Sequence, residues 1–159
     1  MSVLRRPPSV AISRRRLCAG ATALMAWRSL PLQAASPELP DIPELSALLA
    51  GRAPRVARLQ LDIPRIADDG NAVPVRLAVP GPFAAGMHVR TLALFAERNP
   101  VRTVAVVDFP QPVGRAEFET RIRLAGTQRV VAIAALANDQ VLAATTEVVV
   151  AASACLDGT

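Results

Sequence analysis

From Leu59 onward the chain alternates apolar and polar residues with a period of two. "RLQLDIP" puts Leu59, Leu61 and Ile63 on one face, with Gln60 and Asp62 on the other. "VPVRLAV" alternates Val73, Val75, Leu77 and Val79 with Pro74, Arg76 and Ala78, and "AEFETRIRL" directs Ala116, Phe118, Thr120, Ile122 and Leu124 inward while Glu117, Glu119, Arg121 and Arg123 face water. Such alternation is the mark of a strand with one buried face. Three further runs are apolar on both faces: "VRTLALFA" (Val89 to Ala96), "VRTVAVVDF" (Val101 to Phe109) and "RVVAIAAL" (Arg129 to Leu136). A last strand, "VLAATTEVVVAA", is predicted from Val141 to about Ala152. Turn residues separate the runs: "DDGN" at Asp68 to Asn71, "PGPFAAG" at Pro80 to Gly86, "RNP" at Arg98 to Pro100, "PQPVG" at Pro110 to Gly114, "AGTQ" at Ala125 to Gln128, and Asn138 with Asp139.

Only one stretch reads as helix. In "SPELPDIPELSALLAG" (Ser36 to Gly51) Leu45, Leu48 and Leu49 share a face, Pro43 and Glu44 suit a first turn and Gly51 a stop. So short a helix is marginal alone, so it must pack on the body or on a partner. About seven short strands with hairpin-length connections predict an all-β fold, an antiparallel immunoglobulin-like β-sandwich; a small closed barrel is the alternative. There is no Cys and Trp pair to centre the core, which must rest on Val, Leu, Ile, Ala and four Phe.

Charge changes the picture at the N-terminus. The whole chain of 159 residues carries a formal net charge of +5, which by itself would suggest nucleic acid or an anionic surface. Six of its eighteen arginines, however, lie in the first 35 residues, where there is no acid; the other twelve face thirteen acids. Beyond Ala35 the chain is near neutral, which removes the case for nucleic acid. The basic segment contains "SRRRL", then the small and apolar "LCAGATALMAW", then "LPLQAAS". Ser13, Arg14, Arg15 and Leu17 fit a twin-arginine export signal, and the apolar run is too short to span a bilayer. The expected organisation is a cleaved leader over 1–35, a sandwich with its helix over 36–152, and a flexible cysteine-bearing tail over 153–159, in a periplasmic protein with no membrane attachment after cleavage. A buried N-terminal helix, or a lipid anchor at Cys18, are the alternatives for the leader.

Candidate chemistry is sparse. His88 is the only histidine and has no neighbouring Cys or second His to complete a metal site. Glu117 and Glu119 continue into Arg121 and Arg123, the pattern of a solvated charged stripe rather than of a catalytic carboxylate pair. No nucleophile elbow and no glycine-rich phosphate loop occurs, and nothing calls for a cofactor. What is left is Cys155 in "SACLDGT", the one cysteine remaining if Cys18 leaves with the leader. Asp157 beside it raises a thiol pKa rather than lowering it, so self-activated catalysis is not expected. Extended from the sandwich edge, residues 151–155 would hold the sulfur on the order of 15 Å out. The residues alone leave open a carrier thiol presented to another protein, half of an interchain disulfide, and a chance cysteine.

Three long stretches, "LDIPRIADDGNAVPVRLAV", "HVRTLALFAERNP" and "GRAEFETRIRLAGTQRVVAIAAL", together with the leader and the near-terminal cysteine, resemble the SoxY family of sulfur-carrier subunits. The resemblance runs from about Ser46 to Cys155. It implies an immunoglobulin-like domain that pairs with a SoxZ-like sandwich subunit, catalyses nothing itself, and carries thiosulfate-derived sulfur on Cys155. Haem-containing and hydrolytic Sox enzymes would act on it transiently. The family's arm is glycine-rich around its cysteine, whereas this chain has Ala151, Ala152, Ser153 and Ala154 before Cys155 and Leu156 and Asp157 behind it. That departure keeps a second expectation alive, a binding module of the same fold that docks a partner without carrying sulfur.

Overall fold

The computed structural model describes residues 37–152. Helix α1 (Pro43–Leu49) precedes eight strands: β1 (Gln60–Asp62), β2 (Ile66–Asp69), β3 (Val73–Val79), β4 (Val89–Ala96), β5 (Thr103–Asp108), β6 (Ala116–Ile122), β7 (Gln128–Leu136) and β8 (Val141–Ala152). They form a sandwich of two sheets, one of order β1-β3-β6 and one of order β2-β8-β7-β4-β5. The expected immunoglobulin-like sandwich is the fold found. Between the sheets, alternate residues of the strands interdigitate: Val73, Val75, Leu77 and Val79 from β3 meet Leu92 and Leu94 from β4 and Val130, Ala132 and Ala134 from β7. Each fully buried Val, Leu or Ile side chain of this kind contributes roughly 1.5–3 kcal/mol.

The sequence-based expectation fell short at the first strand. The run from Leu59 to Ile63 yields only β1, and a second strand, β2, that the pattern did not predict follows it, because the chain changes sheets at Ile63-Pro64-Arg65. Before the change β1 pairs antiparallel with β3; after it β2 pairs parallel with β8. Pro64 has no N–H to give a ladder, so the break falls where the backbone must leave one sheet for the other. Asp68 and Asp69, expected in a turn, are the last residues of β2, and the turn proper begins at Gly70. The sandwich is therefore not wholly antiparallel.

The strands that are apolar on both faces are explained by α1. Ile42 and Leu45 lie on the outer face of the five-stranded sheet against Ala93, Phe95, Val131, Ile133, Val141 and Ala143, with Leu39, Leu48 and Leu49 at the margin. The helix thus packs on the body. Pro43 occupies its first turn, and it ends where Ala50 (φ 48°) and Gly51 (φ 76°) enter the left-handed region. Of the four phenylalanines, Phe95 alone is fully buried, and it sits in this outer cluster. The cover does not reach the edge: Val106 on β5 remains 53% exposed.

Leu45 is 1% exposed and is the buried residue of the helix. Leu45→Ala is expected to lower the unfolding free energy by about 2–5 kcal/mol, since a seven-residue helix cannot close the cavity by itself. Urea unfolding of the mature domain measures it; a loss under about 0.5 kcal/mol would mean that α1 does not cover the sheet.

Candidate functional site

β8 is the longest strand and outruns its neighbour. Its ladder with β7 ends at the Gln128–Val148 pair, yet β8 continues through Ala152. Backbone groups that face β7's side past that point are left without a strand partner. On the edge away from β7 the strand is held by β2, with Ile66 opposite Val149, Ala67 opposite Val150 and Asp69 opposite Ala152. The Val149 N–H donates to the Arg65 carbonyl at 2.8 Å, and the Gly70 N–H donates to the Ala152 carbonyl at 2.8 Å. On the other side the Thr127 hydroxyl oxygen accepts the Val150 N–H at 3.0 Å. The strand is held as far as its last described residue.

The loops framing this end are tied together by one buried side chain. Gln128, 3% exposed, points inward at the head of β7. Its Oε1 accepts the Arg98 N–H at 2.8 Å, and its Nε2 donates to Asn99 Oδ1 at 2.9 Å and to the Gly126 carbonyl at 3.2 Å. Asn99 in turn accepts the Ala125 N–H at 2.9 Å and donates to the Arg123 carbonyl at 2.8 Å. The β4–β5 and β6–β7 loops are thereby locked to each other, and the Leu124 N–H joins them to the β2–β3 turn by donating to the Gly70 carbonyl at 2.8 Å. Neither Gln128 nor Asn99 stood out in the sequence, where both lay in turn signals. The available sign was parity: Gln128 shares the inward register of Val130, Ala132 and Ala134, a polar residue where the pattern asks for an apolar one.

The expected attachment point, Cys155, lies outside the described residues, as do Ser13, Arg14, Arg15 and Leu17 of the export motif and Cys18. What the fold sets for Cys155 is its origin. It stands three residues beyond Ala152, so the two Cα atoms are at most about 11 Å apart whatever path the chain takes. β8 ends at Ala152, where the sequence placed its end, and counted from there rather than from residue 151 the reach is shorter than the roughly 15 Å expected. Charges in the frame are mixed: Asp68 and Asp69 from β2, Arg98 and Arg123 from the loops, all exposed. Asp69 is held locally, its Oδ1 accepting the Asn71 N–H at 2.9 Å and Asn71 Nδ2 at 2.8 Å. The Glu97 carboxylate takes a two-pronged contact from Arg129, at 3.1 Å and 3.0 Å. That hydrogen bonding holds the Glu97 carboxyl below its ordinary range, against the opposing effect of burial.

The other sequence candidates lie elsewhere. His88 precedes β4 beside an open cavity lined by Pro82, Phe83, Ala84, Gly86 and Val113. It sits at the end of the sandwich where β8 begins, since its carbonyl accepts the Ala137 N–H at 2.9 Å. β8 is twelve residues long, so that end is roughly 35–40 Å from Ala152 along the strand. Among the described residues no group of His, Cys, Asp or Glu could hold a metal ion. Glu117 bonds to Arg76 across the β3–β6 pair and to Arg115 at 2.6 Å, and Glu119 is exposed on the same face. The hydrogen bond from Arg76 holds the Glu117 carboxyl below its ordinary range and the Arg76 guanidinium above its own. The stripe is an exposed charged surface, as its spacing suggested, and Glu117 in it is ion-paired to neighbouring arginines. A smaller pocket of about 260 Å³, lined by Arg55, Arg58, Val79, Phe83, Met87 and Leu142, opens at the same end as His88.

Comparison with known proteins adds the following. The family model described as sulfur oxidation protein SoxY matches residues 45–155. A search of curated proteins finds none that matches the chain. Among solved structures, a superoxide reductase (neelaredoxin) from Ignicoccus hospitalis is 20% identical, with 58% of this chain and 78% of that one covered at a TM-score of 0.46. A protein titled a putative superoxide reductase from Thermotoga maritima is 15% identical, covering 58% and 84% at 0.48. A hypothetical protein from Pyrococcus horikoshii is 15% identical, covering 60% and 95% at 0.44.

The Glu97–Arg129 pair gives a pH test of the frame. A carboxyl whose folded pKa is depressed stabilises the fold fully above its unfolded value, about 4.3, and loses that contribution as pH falls through the folded value. Glu97→Gln is therefore expected to lower the urea midpoint at neutral pH and to flatten its decline below about pH 4. Parallel curves for wild type and variant across that window would show that the pair contributes nothing.

Proposed function

The chain belongs to the SoxY family, and from that premise we propose that it carries thiosulfate-derived sulfur covalently on Cys155 for periplasmic sulfur oxidation. Family membership makes it a sulfur-oxidation protein of the Sox system, whose SoxY members are carrier subunits rather than catalysts and work with Sox partners such as SoxZ. The observation that carries the finer reading is where the match ends: it runs through the sandwich and includes Cys155, three residues past a strand held on both sides.

In this reading the domain supplies position and the partner supplies chemistry. The Cys155 thiol gives up its proton and forms an S–S bond to the sulfane sulfur of thiosulfate. The two electrons released by that oxidation would be taken up one at a time by the haem-containing conjugating partner and passed on to its own acceptor, leaving a Cys–S–S–SO3 group. Water then cleaves the terminal S–S bond, releasing sulfate and leaving a persulfide for further oxidation by the other Sox enzymes. Asp157, two residues along the tail, does nothing to favour the thiolate, so in this reading a partner's site deprotonates the thiol. The leader directs export by the twin-arginine route, which accepts folded proteins and would take a SoxZ-like subunit along.

The alanines around Cys155 favour one rival, a SoxY-type binding module that docks its partner without carrying sulfur. Glycine admits backbone conformations that alanine resists, and a narrow cleft accepts it more readily. Intact mass measurement after incubation with thiosulfate and the haem-containing partner separates the two. The carrier reading predicts a reductant-labile adduct on the mature protein that Cys155→Ser abolishes, together with thiosulfate oxidation. No adduct on wild type, with oxidation intact in Cys155→Ser, would establish the binding module instead.

A further inference from the structure

The short tether restricts where a loading enzyme can sit. With Cys155 at most about 11 Å from Ala152, an enzyme that takes the thiol into its own site must bring the mouth of that site onto the surface around the end of β8. Resting on the carrier reading, the question is which surface there is built for contact. Five large apolar side chains are strongly exposed among the described residues: Val56, Ile66, Val101, Val106 and Val149. Two of them, Ile66 at 69% and Val149 at 47%, face each other across the β2–β8 pair. They sit on the outward side of the sheet, because Ala67 and Val150 at the next positions are buried in the inter-sheet core. Helix α1 covers this face only farther along, over β4, β7 and the start of β8. Val149 is three residues before Ala152, so the tether and the apolar pair leave from one place. The Ile66–Val149 pair is also stiff, since the Val149 N–H and its neighbour's are both bonded, which limits the ordering that contact would require.

We propose that the exposed Ile66–Val149 pair at the root of the arm is the docking contact for the enzyme that conjugates thiosulfate to Cys155. The tether is too short to reach a site that ignores this surface, and the pair is apolar, rigid and adjacent to the tether's origin. The inference assigns these residues to recognition; the bond-forming step stays with the thiol.

The test measures steady-state loading of the mature carrier, paired with its partner subunit, by the haem-containing thiosulfate-conjugating enzyme. For Ile66→Ser with Val149→Ser the carrier's KM is expected to rise about tenfold or more, as expected for losing one good apolar contact, with kcat unchanged. Alkylation of Cys155 by iodoacetamide, which needs no docking, keeps its wild-type rate. Val106→Ser, equally exposed on the far edge of the same sheet, leaves KM unchanged. Inserting six Gly and Ser residues between Ala152 and Ser153 frees the thiol from the root, so in that background the double substitution has a much smaller effect on KM. An unchanged KM in the double variant overturns the proposal, as does weakened binding of the SoxZ-like subunit with loading of the residual complex unaltered. An undiminished effect with the long tether overturns it too. Failure of wild type itself to load would instead refute the carrier reading, so the two failures are distinguishable.

Discussion

β8 extends four residues beyond the point where β7 can pair with it, and the organisation of that end of the sandwich follows from the need to hold it there. An unpaired extension would expose backbone groups and fray. The chain crosses from the first sheet so that β2 lies parallel to β8 on the edge away from β7, and on β7's own side the Thr127 hydroxyl substitutes for the missing main-chain acceptor. Once β8 is held to Ala152, the tail's origin is fixed, the distance to Cys155 is bounded, and the surface around the origin becomes part of whatever encounter the thiol takes part in.

The same logic of supplying a missing neighbour shapes the rest of the fold. The five-stranded sheet is apolar on both faces in its centre, which demands a second layer, and α1 with Ile42 provides it. At the arm's end the core would otherwise open to water between loops. There Gln128 and Asn99 close it with a fully paired polar cluster, in keeping with the absence of any unsatisfied buried side-chain polar atom among the described residues. At the other end the β3–β4 and β5–β6 loops press backbone against backbone: a Cβ at Gly81 would collide with the Gly114 carbonyl oxygen.

Period-two patterning made most of this fold legible. β3, β6 and β7 fall where the alternation or the apolar run lies, and the doubly apolar strands announced a covering layer that Leu45, Leu48 and Leu49 could supply. β2 was not legible, because "IADD" has one buried residue in four and reads as the approach to a turn; its pairing is set by β8, far away in sequence. The Gln128 cluster was hidden for a related reason. Polar side chains that close the end of a core look like turn residues until the register places them inside. Of the site, the sequence supplied Cys155, its family and a strand running to Ala152, but not the contacts with β2 and Thr127 that hold that strand to its end.

That last point is the one on which the account stands, and amide hydrogen exchange of the mature protein addresses it residue by residue. If β8 is held to its end, the Val149, Val150 and Gly70 N–H groups exchange slowly, with opening free energies well above zero and comparable to those of Val148 in the paired part of the strand. Exchange of Val149 and Val150 at the rates of an unstructured chain, with Val148 still protected, would show that the tether begins at Val148, and would contradict both the short reach and the docking surface derived from it.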